Sequence, residues 1–245
     1  MFPLIRGWTD VQRSPEANLR LGLVLTFVAG ATNAGGFLAV GSYTSHMTGI
    51  VSSIADDLVL GRLTLALAGM LCLVAFVAGA MCTAVMVNWG LRHQLRSSYS
   101  MPLLLESVAL LIFGLFGAAI ATWSQLFVPV TVILLCFIMG LQNAVISKIS
   151  KAEIRTTHIT GLVTDLGIEL GKLLYMNQCS IKAPVRANRQ RLQVQSFLVL
   201  GFLLGGLVGA LSLKHWGYIT TVPLAALLWV LCLRPLLIDL HRRVA

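Results

Sequence analysis

The chain has 245 residues, of which 57% are hydrophobic and 11% charged. A soluble domain carries about 25% charged residues, so this composition leaves too few polar side chains to cover a water-facing surface. The net charge of +9 sits in short loops between apolar runs and does not interleave with aromatics. That speaks against a nucleic-acid partner and follows the positive-inside pattern of membrane proteins.

Residues 1–20 are polar and basic (Arg6, Arg13, Arg20) and lack the apolar core of a signal peptide. They read as a cytoplasmic N-terminal arm, with Trp8 lying on the bilayer. Six stretches then read as full spans, near 21–40, 65–89, 102–122, 127–147, 193–213 and 217–238. Pro102 suits a first helical turn. Trp89, Trp123, Trp216 and Trp229 fall near span ends, where amphipathic rings favour the interface. Residues 239–245 form a cytoplasmic C-terminal tail. Cys72, Cys82, Cys136, Cys179 and Cys232 are odd in number and show no CxxC or Cys/His spacing, so they predict neither a disulfide framework nor a metal site.

Two segments break the apolar pattern. Residues 42–62 (SYTSHMTGIVSSIADDLVLGR) and 156–176 (TTHITGLVTDLGIELGKLLYM) carry His, hydroxyls and carboxylates. Lipid would not accept them uncovered. They also match each other, TSHMTGIV (44–51) on TTHITGLV (156–163). Upstream, Gly30 and Asn33 recur as Gly140 and Asn143, and downstream VAGA (77–80) parallels LVGA (207–210). The chain therefore reads as a duplication: a first membrane repeat over 21–122 and a second over 127–238.

Two topologies compete. Eight full spans would give parallel repeats. If both polar segments instead enter and leave on one side, six spans remain, and each repeat of three is inverted relative to the other. With the N-terminus inside, the second arrangement keeps every Lys and Arg except Arg62 and Lys214 in the cytoplasm. The first moves Arg92, Arg96, Lys148, Lys151 and Arg155 outside and Arg62 inside. The charge bias favours the second. The expected fold is all-α: six transmembrane helices plus two re-entrant or broken polar helices, with both termini cytoplasmic.

In that arrangement the polar segments approach the midplane from opposite faces, the layout of many secondary transporters. Hydroxyls at Thr44, Thr48, Thr157 and Thr160 would cap helices starting near Thr48 and Thr160. Such N-termini attract anions, and Gly49 and Gly161 would let another helix or a solute approach. His46 and His158, at matched positions, suit solute binding or proton relay; a copied structural His would look the same. Asn33 and Asn143 offer donors and acceptors, for solute or for holding broken helices. Asp165, Glu169, Asp57 and Glu106 are proton-coupling candidates, with Asp165 and Glu169 on one helix face and Lys172 in reach of Glu169. Glu106 lies one turn inside a span, close enough to an interface to stay wet. Gly201, Gly205 and Gly209 form a double GxxxG packing face. No Walker loop, GxGxxG, GxSxG or HExxH occurs, so neither an enzyme nor a cofactor is expected.

The text VAGATNAGGFLAVGSYTSHMTG, with GLQNA (140–144) and TTHITG (156–161), resembles the YoaK-like proteins. These are bacterial inner-membrane proteins of about six helices and unknown function. The resemblance covers roughly residues 21–240. It implies a place in the inner membrane and carries over no catalytic residue. Members of that family often have Asn after Thr-Gly, where Ile50 and Leu162 stand here, which points to a different solute. The expectation is a secondary transporter of a small polar or anionic solute, with proton coupling as an option. A channel, a non-transporting scaffold and an intramembrane enzyme are the alternatives, and homo-oligomers are left open.

Overall fold

The computed structural model describes residues 8–11, 13–122, 124–150, 154–176 and 184–244, with no strand among them. The helices are α1 (Pro15–Val40), α2 (Met47–Val59), α3 (Leu63–Arg92), α4 (Ser100–Thr122), α5 (Ser124–Ile149), α6 (Ile159–Leu174), α7 (Arg189–Trp216) and α8 (Thr221–Val244). Short 3-10 turns, Arg96–Tyr99 and Gly217–Thr220, precede α4 and α8. Five stretches are long and apolar enough to cross a bilayer: Glu16–Val40, Leu63–Arg92, Arg96–Leu115, Val128–Ile149 and Arg189–Arg242. The last takes in α7 and all but the final two residues of α8. The chain is all-helical and compatible with a multi-pass membrane protein. The 13-residue α2 and 16-residue α6 are not among these stretches. At 1.5 Å per residue they reach roughly 20 and 24 Å, short of a hydrocarbon core of about 30 Å.

Neighbours along the chain are not the main packing partners. α1 lies on α7, and α3 on α5. Glycines allow backbone to touch backbone there. A Cβ on Gly30 would overlap the carbonyl oxygen of Phe202, and one on Gly205 that of Phe27. The other pair repeats this contact: Gly140 meets the carbonyl of Phe76, and Gly79 that of Phe137. The expected match of VAGA with LVGA is therefore one turn out of register. Gly79 answers to Gly205, within FVAG (76–79) and FLLG (202–205), because the carbonyl each faces belongs to an equivalent Phe. Gly209, on the double GxxxG face, meets the carbonyl of Ala31.

Contact order along each pair fixes helix direction. Phe27 meets Gly205 and Ala31 meets Gly209, so α1 and α7 run parallel. In α3 and α5, Gly79 meets Phe137. Farther along, Thr83 Oγ1 donates to the Leu141 carbonyl at 3.1 Å and Lys148 Nζ to Asn88 Oδ1 at 2.9 Å, again parallel. By contrast α1 and α5 run antiparallel, with Gly22 beside Ile146 and Gly36 beside Leu135. So do α4 and α8: Ser107 Oγ donates to the Ala225 carbonyl at 2.8 Å and Cys232 Sγ to that of Ser100 at 3.3 Å. At the end of this pair Asp239 accepts the Arg96 and Ser97 N–H groups, at 3.1 and 2.8 Å. Both helices open alike, Ser100-Met101-Pro102-Leu103 against Thr221-Val222-Pro223-Leu224.

The shared core contains Leu21, Leu25, Leu110, Leu135, Met139 and Leu228, all fully buried. Leu67, Met70, Leu71 and Val74 of α3 point outward, as lipid-facing residues do. The helix α1 begins at Pro15, inside the segment read as an arm, because Ser14 Oγ accepts the Ala17 N–H at 3.2 Å. Trp8 packs against the core and does not lie outward, and Thr9 Oγ1 donates to the Leu231 carbonyl at 2.8 Å. Cys72, Cys136 and Cys232 are buried and Cys82 half-buried, all as free thiols. Cys179, Trp123, Lys151 and Lys182 lie outside the described residues.

Candidate site at the starts of the two short helices

Each short helix begins three residues after a buried threonine, Thr44 or Thr156, while the helix start itself is partly exposed. Met47 packs against the cluster of Cys72, Ala75 and Cys136, next to Phe76, whose carbonyl meets Gly140 of α5. From there α2 runs back along α3, with Ile54 beside Gly69. The helix α6 runs back along α7. Asp165 accepts from Arg191 Nη2 at 2.9 Å and Gln195 Nε2 at 3.1 Å. Counting back along this antiparallel pair puts Ile159 near Val199, about one turn short of Phe202, where α7 meets Gly30 of α1.

The descending chain is held by an asparagine on each side. Asn33 Oδ1 accepts from Ser45 N at 3.2 Å and Ser45 Oγ at 2.9 Å. Asn143 Oδ1 accepts from Thr157 Oγ1 at 2.6 Å, while its Nδ2 donates to the Met139 carbonyl at 2.8 Å. Gly41, in the left-handed region at φ +73°, ends α1 and starts the descent. The Tyr43 ring stacks on Phe37 at 4.3 Å between centroids.

The residue before each helix is His46 or His158, with near-identical backbone angles (φ −90°, ψ 68° and φ −84°, ψ 59°) and no side-chain cap hydrogen bond. Thr48 and Thr160 are therefore inside the helices and exposed, not caps. Each exposed imidazole folds over the glycine three residues on: a Cβ on Gly49 or Gly161 would overlap its own helix's His ring. What those glycines admit is that ring, not another helix.

Thr44 and Thr156 are fully buried, and neither hydroxyl has a hydrogen-bond partner. A buried hydroxyl left unpaired costs about 1–3 kcal/mol, and here the cost is incurred twice at equivalent places. Thr156 and Ser45 belong to the hydroxyl clusters that open the two polar segments, but the sequence did not mark them as solute ligands, although they align with Thr44 and Thr157. Each cluster is thus assembled on its own side. Among the described residues no hydrogen bond joins one cluster to the other, and α2 and α6 pack on different helices.

The carboxylates divide. Asp165 is committed to Arg191 and Gln195, and Asp57 is half-buried near the end of α2. Glu169 accepts from Lys172 Nζ at 2.8 Å and Asn188 N at 2.7 Å. Lys172 first, then the Asn188 N–H, hold its carboxyl below the usual carboxylate range. This contact favours the folded state above the unfolded pKa and is lost as pH falls through the lowered folded value. Glu169→Gln is therefore expected to speed amide exchange around Asn188 at pH 7. Acidification through the carboxylate range should likewise lower the protection factor there, taken against intrinsic exchange at each pH, in the unaltered protein; equal protection in both forms at every pH would refute the assignment.

Glu106 is not wet. It is fully buried and both oxygens lack partners, as do the buried Ser100 hydroxyl and Gln142 amide. Among the described residues no three His, Cys, Asp or Glu side chains converge as a metal ion would require.

Residues 21–233 match a family described as protein of unknown function (DUF1275). The chain belongs to this family. No curated protein matches the sequence, and no solved structure matches the fold. Membership in DUF1275 covers both short helices and both Asn contacts, and brings no assigned activity with it.

Proposed function

We propose that this DUF1275 protein is a secondary transporter of the inner membrane for a small polar or anionic solute, built from six spans and two re-entrant half-helices. The opposed directions of α1 and α5, and of α4 and α8, support inverted repeats. In eight parallel-repeat spans each of these pairs would run the same way. Both termini then lie in the cytoplasm. Labelling from outside tests this in a protein whose native cysteines are replaced by Ala: Arg62→Cys should react and Arg155→Cys should be shielded. The opposite pattern would overturn the topology.

The observation that carries the transport reading is the pair of partnerless buried hydroxyls, Thr44 and Thr156. Each lies beside the uncapped start of a short helix, where free N–H groups and the helix dipole attract negative charge. A solute's polar atoms would complete these groups in turn as the halves rock. The resemblance to YoaK-like proteins is consistent with the location. Glu106, buried in α4 without a partner, is the candidate for proton coupling.

Threonine and valine have the same shape, so the double variant Thr44→Val/Thr156→Val removes the hydroxyls without a cavity. It is expected to melt at or above the unaltered protein, because two unpaired polar groups are gone. In liposomes its uptake of small carboxylates or phosphates should fall at least about tenfold, some 1.4 kcal/mol. Flux equal to empty liposomes across a wide panel, with and without a pH gradient, would sink the transporter reading. Linear, unsaturable flux would reassign the protein as a channel.

A further inference from the structure

Away from the two helix starts, a cavity of about 540 Å³ lies where α1 and α7 end and α8 begins. Its walls are almost wholly apolar, formed by residues such as Phe27, Phe113, Val208 and Leu224. Glycines 35, 36 and 209 leave the space open. The helix α8 leaves α7 at the Gly217–Thr220 turn and packs on α4, so the two helices do not close over it. Trp216 and Ile219, both largely exposed, stand at its mouth.

One polar group is out of place there. Thr32 lines the cavity, is 3% exposed, and its hydroxyl has no hydrogen-bond partner. A threonine in a helix commonly donates to a carbonyl one turn back, as Thr26 does to Gly22 at 2.7 Å; Thr32 does not.

The other half of the chain serves as an internal control. In the register set by the Phe–Gly contacts, Gly35 and Gly36 correspond to Val145 and Ile146, Gly209 to Thr83, and Ser212 to Met86. Bulk fills the equivalent place there, and Thr83 uses its hydroxyl on the Leu141 carbonyl; the counterpart of Thr32 itself is Gln142, whose buried amide also has no partner. Duplication alone would have given two filled crevices or two open ones. Among the described residues, what sets this half apart is that its unused polar group, the Thr32 hydroxyl, lies beside small residues, Gly35, Gly36 and Gly209, that leave space next to it.

We infer that this cavity binds a small membrane-dissolved amphiphile with an apolar body and one hydroxyl or carbonyl end, the polar end bonding Thr32. The volume suits one small molecule, and one polar anchor in an apolar wall fixes its orientation. The site is separate from Thr44 and Thr156, so its failure would leave the transport proposal standing.

The test uses the full chain in phosphatidylcholine liposomes, photolabelled with a diazirine-bearing octanol or the matching diazirine-bearing octane, adducts being mapped by mass spectrometry. The octanol should label the segment 208–227 at least about five-fold more than the octane does, the size of one net hydrogen bond. Thr32→Val should remove that preference. Ser212→Met, copying Met86, should block both probes. Equal labelling by the two probes in the unaltered protein would overturn the inference, whatever the variants do. So would adducts spread over outward-facing α3, or a preference that survives Thr32→Val.

Discussion

A Gly30→Val protein is expected to lose its folded state in detergent, at a cost of about 3 kcal/mol or more. The reason is backbone against backbone. The added Cβ would fall on the Phe202 carbonyl, and neither α1 nor α7 can turn a main-chain carbonyl aside as it could a side chain. Gly140→Val should fail equally, through Phe76. Gly167→Val and Gly171→Val are the controls. Both glycines are in α6 with open space around them, so each change should stay within about 1 kcal/mol. Thermal unfolding followed by circular dichroism reads the difference. If Gly30→Val and Gly167→Val melted together, the close crossing of α1 and α7 would be wrong.

The second large effect is expected at Glu106. An ionised carboxylate buried without a partner costs several kcal/mol, so a charge on Glu106 would call for a cation or a solute group beside it. Glu106→Gln keeps the shape and removes the exchangeable charge. It should melt within about 1 kcal/mol of the unaltered protein. Glu106→Leu installs what α8 carries at the equivalent place, Leu227, and should be at least as stable. In both variants, uptake driven by a pH gradient should drop at least about tenfold, while exchange of solute without a gradient persists. Gradient-driven uptake that survived Glu106→Gln would remove Glu106 from the coupling mechanism.

Much of this fold was legible in the residues, for identifiable reasons. Lipid imposes long apolar runs, so the stretches that became α1, α3, α4, α5, α7 and α8 stood out. The polar text of α2 and α6 stood out because it violated the same rule, and its repetition gave the equivalence of His46 with His158. Other features could not be read. Which helix packs on which depends on the carbonyls that Gly30 and Gly79 face, and carbonyls leave no mark in a sequence. The VAGA match went astray because α7 offers several glycines at helical spacing, and only contact with Phe27 selects Gly205. The opening shared by α4 and α8, Ser-Met-Pro-Leu and Thr-Val-Pro-Leu, was visible but too short to weigh before its two turns were seen.

The site was half legible. Asn33 and Asn143 fell where expected, each on a residue of the polar text. Thr48 and Thr160 looked like caps because threonine commonly caps. The helices start one residue earlier because the imidazole lies over a glycine. Asp165 looked free because its partners, Arg191 and Gln195, come from the following helix; Glu169 meets Lys172 as the spacing suggests, but its second partner, the Asn188 N–H, lies 19 residues on. Glu106 looked wet because distance along a helix says nothing about what α8 covers.

The exchange of partners between halves has a consequence for how the protein is made. α1 enters the bilayer first, yet the helix that fills its glycine groove, α7, is synthesised only after more than half the chain has followed. Until then that groove faces lipid or a passing insertase. Neither half severed from the other could bury its own seam, so each alone should be a substrate for quality-control proteolysis. The two fragments produced together have all the surfaces needed to reassemble.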